Sequence, residues 1–325
     1  MWDVAREAGV SLKTVSRVVN DEGGVRPETA SRVHEAIAAL GFRRNDMARV
    51  LRQGRSSGTI GLVIEDVANP FYSAITRAVE EVARERGYLV IAGSSDEDPG
   101  RERDLIQLLC ERRVEGLLVV PAGADHRFLL PELRMGTPVV FMDRPPGRLD
   151  ADAILLDNLG GARRAVEHLL AHGHRRIGMV GDLPAIFTAV ERRQGYVEAL
   201  TAAGIGLEDG LLQLGSHDVA AAEEATRALL GLPDPPTAIF TGNNRNTVGA
   251  LKAIRAAGAR TAIVGFDDFE LADVLSITVV AHSPAEMGRR ATELLCRRLE
   301  ADRSPLARVV LPAQLIPRGS GEVPP

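Results

Sequence analysis

The chain has 325 residues, 45% of them hydrophobic, and a formal charge of −5 at neutral pH. That length allows two or three domains with buried cores. No run of eighteen apolar residues offers a membrane span, and the start is acidic with no apolar h-region of a secretory signal, so a cytoplasmic protein is expected. The charge is uneven. Residues 1–56 carry ten Lys and Arg against seven Asp and Glu, which leaves a formal −8 for the remainder. A basic end suited to phosphates thus precedes an acidic body. Cys110 and Cys296 sit among leucines in helical patterns without metal spacing, so reduced core residues, no disulfide, no metal and no cofactor are expected.

The first twenty residues, "MWDVAREAGVSLKTVSRVVN", read as two short helices around a tight turn. Val4, Ala5 and Ala8 share one face, Gly9 can take the positive φ of a helix end, and Ser11 can cap the second helix. Val15, Val18 and Val19 recur at spacings of three and four and turn inward, which leaves Leu12, Lys13, Ser16, Arg17 and Asn20 outward. An outer face of that kind suits the DNA major groove, where Arg and Lys bond guanine and phosphate. On pattern alone a helical hairpin that touches nothing fits equally well. A third helix is predicted from Pro27 to Leu40, ended by Gly41, with Val33, Ile37 and Leu40 facing the core. Asn45 or Asp46 can cap a short helix running to about Gln53, and Gln53 to Gly58 reads as a linker. A helix of about nine residues is unstable alone and is expected to order only on DNA.

From Thr59 the pattern changes to apolar strands alternating with amphipathic helices: "IGLVI", "YLVIAG", "GLLVVP" and "PVVFMD", then after "DAILLDN" a second series with "RIGMVG", "TAIF" and "AIVGFDD". Two βαβ series imply two open parallel sheets covered by helices, with a ligand cleft at the strand ends between them. At or near those ends stand Phe71, able to stack on a sugar's apolar face, and Asp143, Asp157, Arg192, Asn243 and Asp267, able to bond hydroxyls. Strand-end aspartates also cap helices and hold turns. His172 and His174, flanking Gly173, are expected to stabilise a helix dipole.

The string "DVAREAGVSLKTVSRVVN" closely resembles the headpiece of the LacI/GalR family of bacterial repressors, and "ANPFY", "VEGLLVVP", "VVFMDR", "LDNLGGARRAVEHLLAHGHRRIGMVG", "ERRQGY", "PTAIFTGNN", "VGFDD" and "MGRRATELL" follow in family order over nearly the whole chain. The resemblance implies an α/β protein with an all-α helix-turn-helix headpiece and a two-lobed core of parallel sheets like the periplasmic sugar-binding proteins. It places the headpiece at 1–44 and the hinge helix and linker at 45–58. The effector-binding and dimerisation core follows at 59–325, with lobe one at about 60–157 and 283–308 and lobe two at about 158–282 and 309–318. By resemblance Leu12, Lys13 and Arg17 read bases, and Thr14, Ser16 and Asn20 lie nearer the backbone. Asn45, Ala48 and Leu51 complete the DNA-facing set, Leu51 as a minor-groove wedge and Ala48 as the small residue a close helix pair needs. Asp143, Arg192, Asn243 and Asp267 are the implied effector set, joined by Phe71 and Asp157, and some relatives place a ligand-facing ring where His217 stands.

The reading is therefore a cytoplasmic, homodimeric transcription repressor, nucleoid-associated when bound. It takes a pseudo-palindromic operator and a sugar or sugar-derived effector, with no membrane partner. A nucleoside- or other metabolite-responsive regulator of the same fold is the alternative, and a sugar-binding protein without regulatory role is a weaker one. No Walker loop, strand-following GxGxxG or metal-spaced histidine set supports an enzyme. Departures from the family pattern fall at the cleft. Asn244 stands where the family usually has Asp, "GARTAIVGFDD" is shorter than usual, and "DLPAIFTAVERR" lacks a polar run. Met1 stands at a position the family precedes with a capping Thr, so either a translation start upstream of it or a slightly truncated chain is expected.

Overall fold

The computed structural model describes residues 1–20, 22–42 and 57–325, which fall into two units, Met1–Ser57 and Gly58–Pro325. In the first, helices α1 (Trp2–Ala8), α2 (Leu12–Val19) and α3 (Pro27–Ala39) enclose a small core of Val4, Ala5, Ala8, Val15, Val33 and Ala36. Gly9 ends α1 at φ 62, and Ser11 Oγ accepts the Thr14 N–H at 3.1 Å to start α2. Met1, at the N-cap of α1, makes no side-chain cap bond. Val18, Val19 and Ile37 pack against the core as expected, but Leu40 is 46% exposed. The helix stops at Ala39, Leu40 becomes its C-cap, and Ala36 takes the buried position instead.

The second unit holds two six-stranded sheets. Lobe one comprises β1 (Thr59–Ile64), α4 (Pro70–Glu85), β2 (Leu89–Ser94), α5 (Pro99–Glu111), β3 (Gly116–Val119), α6 (Leu130–Met135), β4 (Val139–Asp143) and β5 (Asp152–Leu156). Lobe two comprises α7 (Asn158–Ala171), β6 (Ile177–Val180), α8 (Phe187–Ala202), β7 (Leu212–Gln213), α9 (Val219–Leu230), β8 (Ala238–Thr241), α10 (Asn244–Ala257), β9 (Ala262–Phe266) and β10 (Thr278–Ala281). Helix α11 (Pro284–Leu299) packs on lobe one beside α4, and β11 (Arg308–Leu311) and β12 (Gln314–Ile316) follow. The strand orders are β11-β5-β4-β3-β1-β2 and β12-β10-β9-β8-β6-β7. The chain therefore passes between the lobes after β5, after β10 and after β11. Strands β1, β3, β4 and β5 are almost wholly buried, as parallel strands covered on both faces must be.

Two expectations need correction. Residues 309–311 belong to lobe one, because β11 runs parallel to β5 with Val309 opposite Ile154; lobe two begins again only at β12. The second sheet is also not wholly parallel, since β12 returns antiparallel to β10. Both cysteines are free, Cys296 buried and Cys110 half-buried.

Strand ends pass into capped helices, and this is what positions the polar side chains that follow them. Asn69 caps α4, Asp98 caps α5, Asp157 caps α7, Asp218 caps α9 and Asn243 caps α10, each accepting a first-turn N–H. Gly195 lets α8 lie close on α7, since a Cβ there would strike the Leu159 carbonyl and Ala162. That close approach brings Arg192 of α8 onto Asn158 at the start of α7.

Candidate functional site

On α2 the charged groups Lys13 and Arg17 are exposed, and neither has an ion-pair partner among the described residues. Leu12, Thr14, Ser16 and Asn20 are half-buried on the same helix; Thr14 Oγ1 lies 2.9 Å from Ser11 Oγ, and Asn20 Nδ2 donates to Ser16 Oγ at 3.3 Å. All six residues expected to face DNA from this helix thus keep surface open to a partner. Asn45, Ala48 and Leu51 lie outside the described residues.

In the core, one polar network joins the strand ends of both lobes. Arg192, buried under the ring of Phe266 with its guanidinium carbon 3.8 Å from the centroid, donates Nε–H to Asn158 Oδ1 at 2.9 Å and Nη1–H to the Gly242 carbonyl at 2.6 Å. Its Nη1 also stands 3.5 Å from Asp267 Oδ2, and His282 Nε2 lies 2.9 Å from Asp267 Oδ1. Burial pushes the Asp267 carboxyl up, but Arg192, His282 and the Asn244 N–H outweigh it and hold it below the usual carboxylate range. His282 meets Phe71 edge to face at 5.4 Å between centroids, and Phe71 meets Tyr72 at 4.7 Å.

Lobe one completes the network. Arg144 donates from Nη1 to Glu97 Oε2 at 2.7 Å and to the Pro121 carbonyl at 2.9 Å, and from Nη2 to Tyr72 Oη at 3.3 Å and to Glu97 Oε1. Burial opposes its charge, yet Tyr72, Glu97 and Asp143 hold it protonated. Glu65, just past β1, is buried beside Glu97; burial first and that like charge second push its carboxyl up to about 7. From lobe two, His217 Nε2 comes within 3.7 Å of Glu65 Oε1 while its Nδ1 lies 2.9 Å from Asp182 Oδ1. Asp182 Oδ2 in turn accepts from Asn243 Nδ2 at 2.8 Å, and the bond between His217 and Asp182 Oδ1 is the first cause that lifts the His217 pKa.

Of the residues expected at the cleft, the network gathers Phe71, Asp143, Arg192, Asn243, Asp267 and His217. Asp157 stands apart: one oxygen accepts the Gly160 N–H at 3.0 Å as helix cap, and the other pairs with Arg164 at 2.9 Å. His172 does bond a last-turn carbonyl of α7, that of His168, at 2.8 Å. His174 does not serve the helix dipole: it is buried between Thr237 Oγ1 and the Val323 carbonyl, and burial lowers its pKa. Sequence reasoning missed Glu65, Tyr72, Arg144, Asn158, Arg245 and His282. Arg144 adjoins Asp143 in "MDR", and His282 directly follows β10, so position at a strand end was the usable signal.

Two buried acceptors in the network lack donors among the described residues. Asp143 Oδ1 is one. His282 Nδ1 is the other when Nε2–H donates to Asp267. A buried acceptor without a donor costs about 1–3 kcal/mol. Carboxylates, an imidazole, an amide and a phenylalanine ring gathered in this way are chemically suited to a donor-rich molecule with one apolar face. Among the described residues no group of His, Cys, Asp and Glu is placed to hold a metal ion, and no helix is long and apolar enough to cross a membrane.

Comparison with known proteins decides the family. The chain is 35% identical over 307 residues to the HTH-type transcriptional regulator GalS of Salmonella typhimurium, covering 90% of this chain and 87% of that one. The chain belongs to the LacI family. The family profile "Bacterial regulatory proteins, lacI family" matches residues 1–45 of this LacI-family protein, and "Periplasmic binding protein-like domain" matches 166–321. Its structure is similar to the lac repressor dimer bound to operator and the anti-inducer ONPF, with TM-score 0.81 at 26% identity over 98% of both chains. It is also similar to the transcriptional regulator CelR in complex with cellobiose, with TM-score 0.73 at 32% identity over 98% of both. This LacI-family chain is a DNA-binding transcription repressor and not an enzyme, as its relatives are.

Proposed function

We propose that the protein acts in the cytoplasm as a homodimeric, ligand-responsive repressor of a pseudo-palindromic operator, and that its effector is a sugar or sugar derivative held between the lobes. On this reading α2 lies in the major groove, with Leu12, Lys13 and Arg17 on bases and Thr14, Ser16 and Asn20 near phosphates. Asn45, Ala48 and Leu51 act at the operator centre. Phe71, Asp143, Arg192, Asn243 and Asp267 hold the effector, joined by His282, while Asp157 serves the fold through its cap.

The observation that carries the effector reading is the pair of buried acceptors without donors, Asp143 Oδ1 and His282 Nδ1, in a network that includes the half-buried ring of Phe71. Sugar hydroxyls supply donors and a sugar ring supplies an apolar face for stacking. The relative solved with cellobiose supports the same class of ligand. A dimer is supported by the outer edge of the lobe-one sheet, where β2 leaves Leu89 65% exposed and Ile91 38% exposed, and two headpieces on a near-palindrome need a two-fold pair.

The test is a thermal-shift screen of the full chain over sugars, sugar phosphates and nucleosides. A ligand at 100 times its dissociation constant adds about 2.7 kcal/mol of stability. The reading expects a sugar to shift the wild type and to change operator affinity, with both responses lost in Asp267→Ala while operator binding persists. A nucleoside that does this in place of every sugar overturns the sugar assignment.

A further inference from the structure

The first turn of α10 reaches out of lobe two and grips lobe one. Asn243 caps the helix by accepting the Asn246 N–H at 2.8 Å. The next residue, Asn244, donates Nδ2–H to Asn69 Oδ1 at 3.0 Å, and both side chains are buried. That same Asn69 oxygen accepts the Phe71 N–H at 3.1 Å, so the contact bears on the cap of the helix that carries Phe71. Arg245 then donates Nη1–H to Glu65 Oε1 at 3.3 Å and Nη2–H to Asp66 Oδ2. Asp66 is held ready by the Ala68 N–H on its other oxygen at 2.8 Å, and that bond first, then Arg245, keeps its carboxyl below the usual range.

The sequence makes the position of Arg245 notable. A cation in the first turn of a helix opposes the helix dipole, and α10 has no acidic residue there to offset it. The carboxylates that neutralise Arg245 are those of the opposite lobe. Its guanidinium spreads over two of them, which fits a rigid fork better than a single ammonium. The side chain is only 21% exposed, so solvent screens the pair weakly.

We propose that Asn244 and Arg245 form a latch that holds the two lobes closed through the chain's own side chains. The latch fixes the resting position of the cleft, and an effector acts on an equilibrium that Arg245 has already biased. This rests on the reading of the cleft as the effector site, but its test needs no effector, so the two can fail separately.

The experiment is hydrogen exchange on the full chain without added ligand, followed at the amides of residues 66–73. Arg245→Ala is expected to speed exchange there roughly tenfold, within the range of ordinary coupling between sites. Asp66→Asn, which leaves α10 unchanged, is expected to do the same, and the double variant no more than either single one. Millimolar methylguanidinium is expected to restore protection in Arg245→Ala and not in Asp66→Asn, a rescue that a merely structural role would not show. Arg227→Ala removes exposed ion pairs to Glu223 and Glu224 elsewhere on lobe two and is expected to leave exchange at 66–73 unchanged. Wild-type exchange rates in both Arg245→Ala and Asp66→Asn would overturn the latch, as would additive effects in the double variant. If Arg245→Ala does not fold, Asp66→Asn and Arg245→Lys, which keeps the charge and loses the fork, decide it in the same way.

Discussion

Asp143 and Asp267 end equivalent strands, the third in each sheet order, and both hold the left-handed backbone at φ 66 and 68. Their surroundings differ. Asp267 has a partner for each oxygen, His282 and Arg192. Asp143 has Arg144 Nε at 3.4 Å from one oxygen and no donor for the other, because the Arg144 fork is committed to Glu97, Tyr72 and the Pro121 carbonyl. At these two positions lobe two presents a finished carboxylate, whereas lobe one presents a carboxylate with an acceptor left over. The two strand-end carboxylates have divided the work: Asp267 is held by its partners, and Asp143 keeps an open valence that, on the reading proposed above, a ligand's donor satisfies. The strain of a non-glycine residue at positive φ, about 1–3 kcal/mol, is kept at both positions, as happens where a carboxylate must be aimed.

The largest expected effect follows from removing the cation beside the finished carboxylate. Arg192→Ala leaves Asp267 buried without its guanidinium partner, held by His282 and the Asn244 N–H, and the core is expected to lose about 3–5 kcal/mol in urea unfolding. A loss below about 1 kcal/mol would show that lobe two does not depend on this pair. The comparison sharpens with two conservative changes. Asn tolerates positive φ, so Asp143→Asn is expected to stay within about 0.5 kcal/mol of wild-type stability. Asp267→Asn, by contrast, is expected to lose about 1.5–3 kcal/mol with its charge-assisted bonds. Equal losses in the two variants would erase the distinction between the lobes.

The smallest effect is one of pH. Glu65 in lobe one is pushed up to about 7 from an ordinary 4.5, whereas Asp267 is held down. The folded core binds the Glu65 proton more tightly than the unfolded chain does, so stability falls as pH rises from about 4.5 through 7. The contribution of Asp267 has the opposite sign and is lost only in acid. Between pH 6 and 8 wild-type stability is expected to fall, and Glu65→Gln to remove about 1 kcal/mol of that fall. The part due to His217, whose raised pKa also yields stability that is lost as pH rises, remains. An unchanged pH slope in Glu65→Gln would show that Glu65 does not hold a proton in the folded core.

Much of this architecture was legible in the chain. Val15 and Val33 mark the headpiece core by helical spacing, and the apolar runs such as "VVFMD" mark buried parallel strands, because both follow from local periodicity. Asp143, Arg192, Asn243 and Asp267 could be named because strand ends are where such folds bind ligands. What periodicity cannot carry is pairing across the fold. Nothing near Glu65 in sequence announces Glu97, which the pairing of β1 with β2 brings beside it, or His217 and Arg245, which meet it only when the two sheets face each other. The same limit misplaced residues 309–311, since "RVVL" and "QLI" are equally good strands and only sheet pairing assigns them to different lobes. Leu40 failed for a local reason, a helix that ends one residue early.

The account turns on a repressor that reads DNA as a two-fold pair. The most direct measurement is selection of the full chain on a pool of random duplexes, with the salt dependence of binding to the winner. The account predicts enrichment of an inverted repeat bound by two protomers, with a log–log salt slope near −5 if about six phosphates are contacted. Enrichment of no sequence, or binding that salt leaves unchanged, would contradict it.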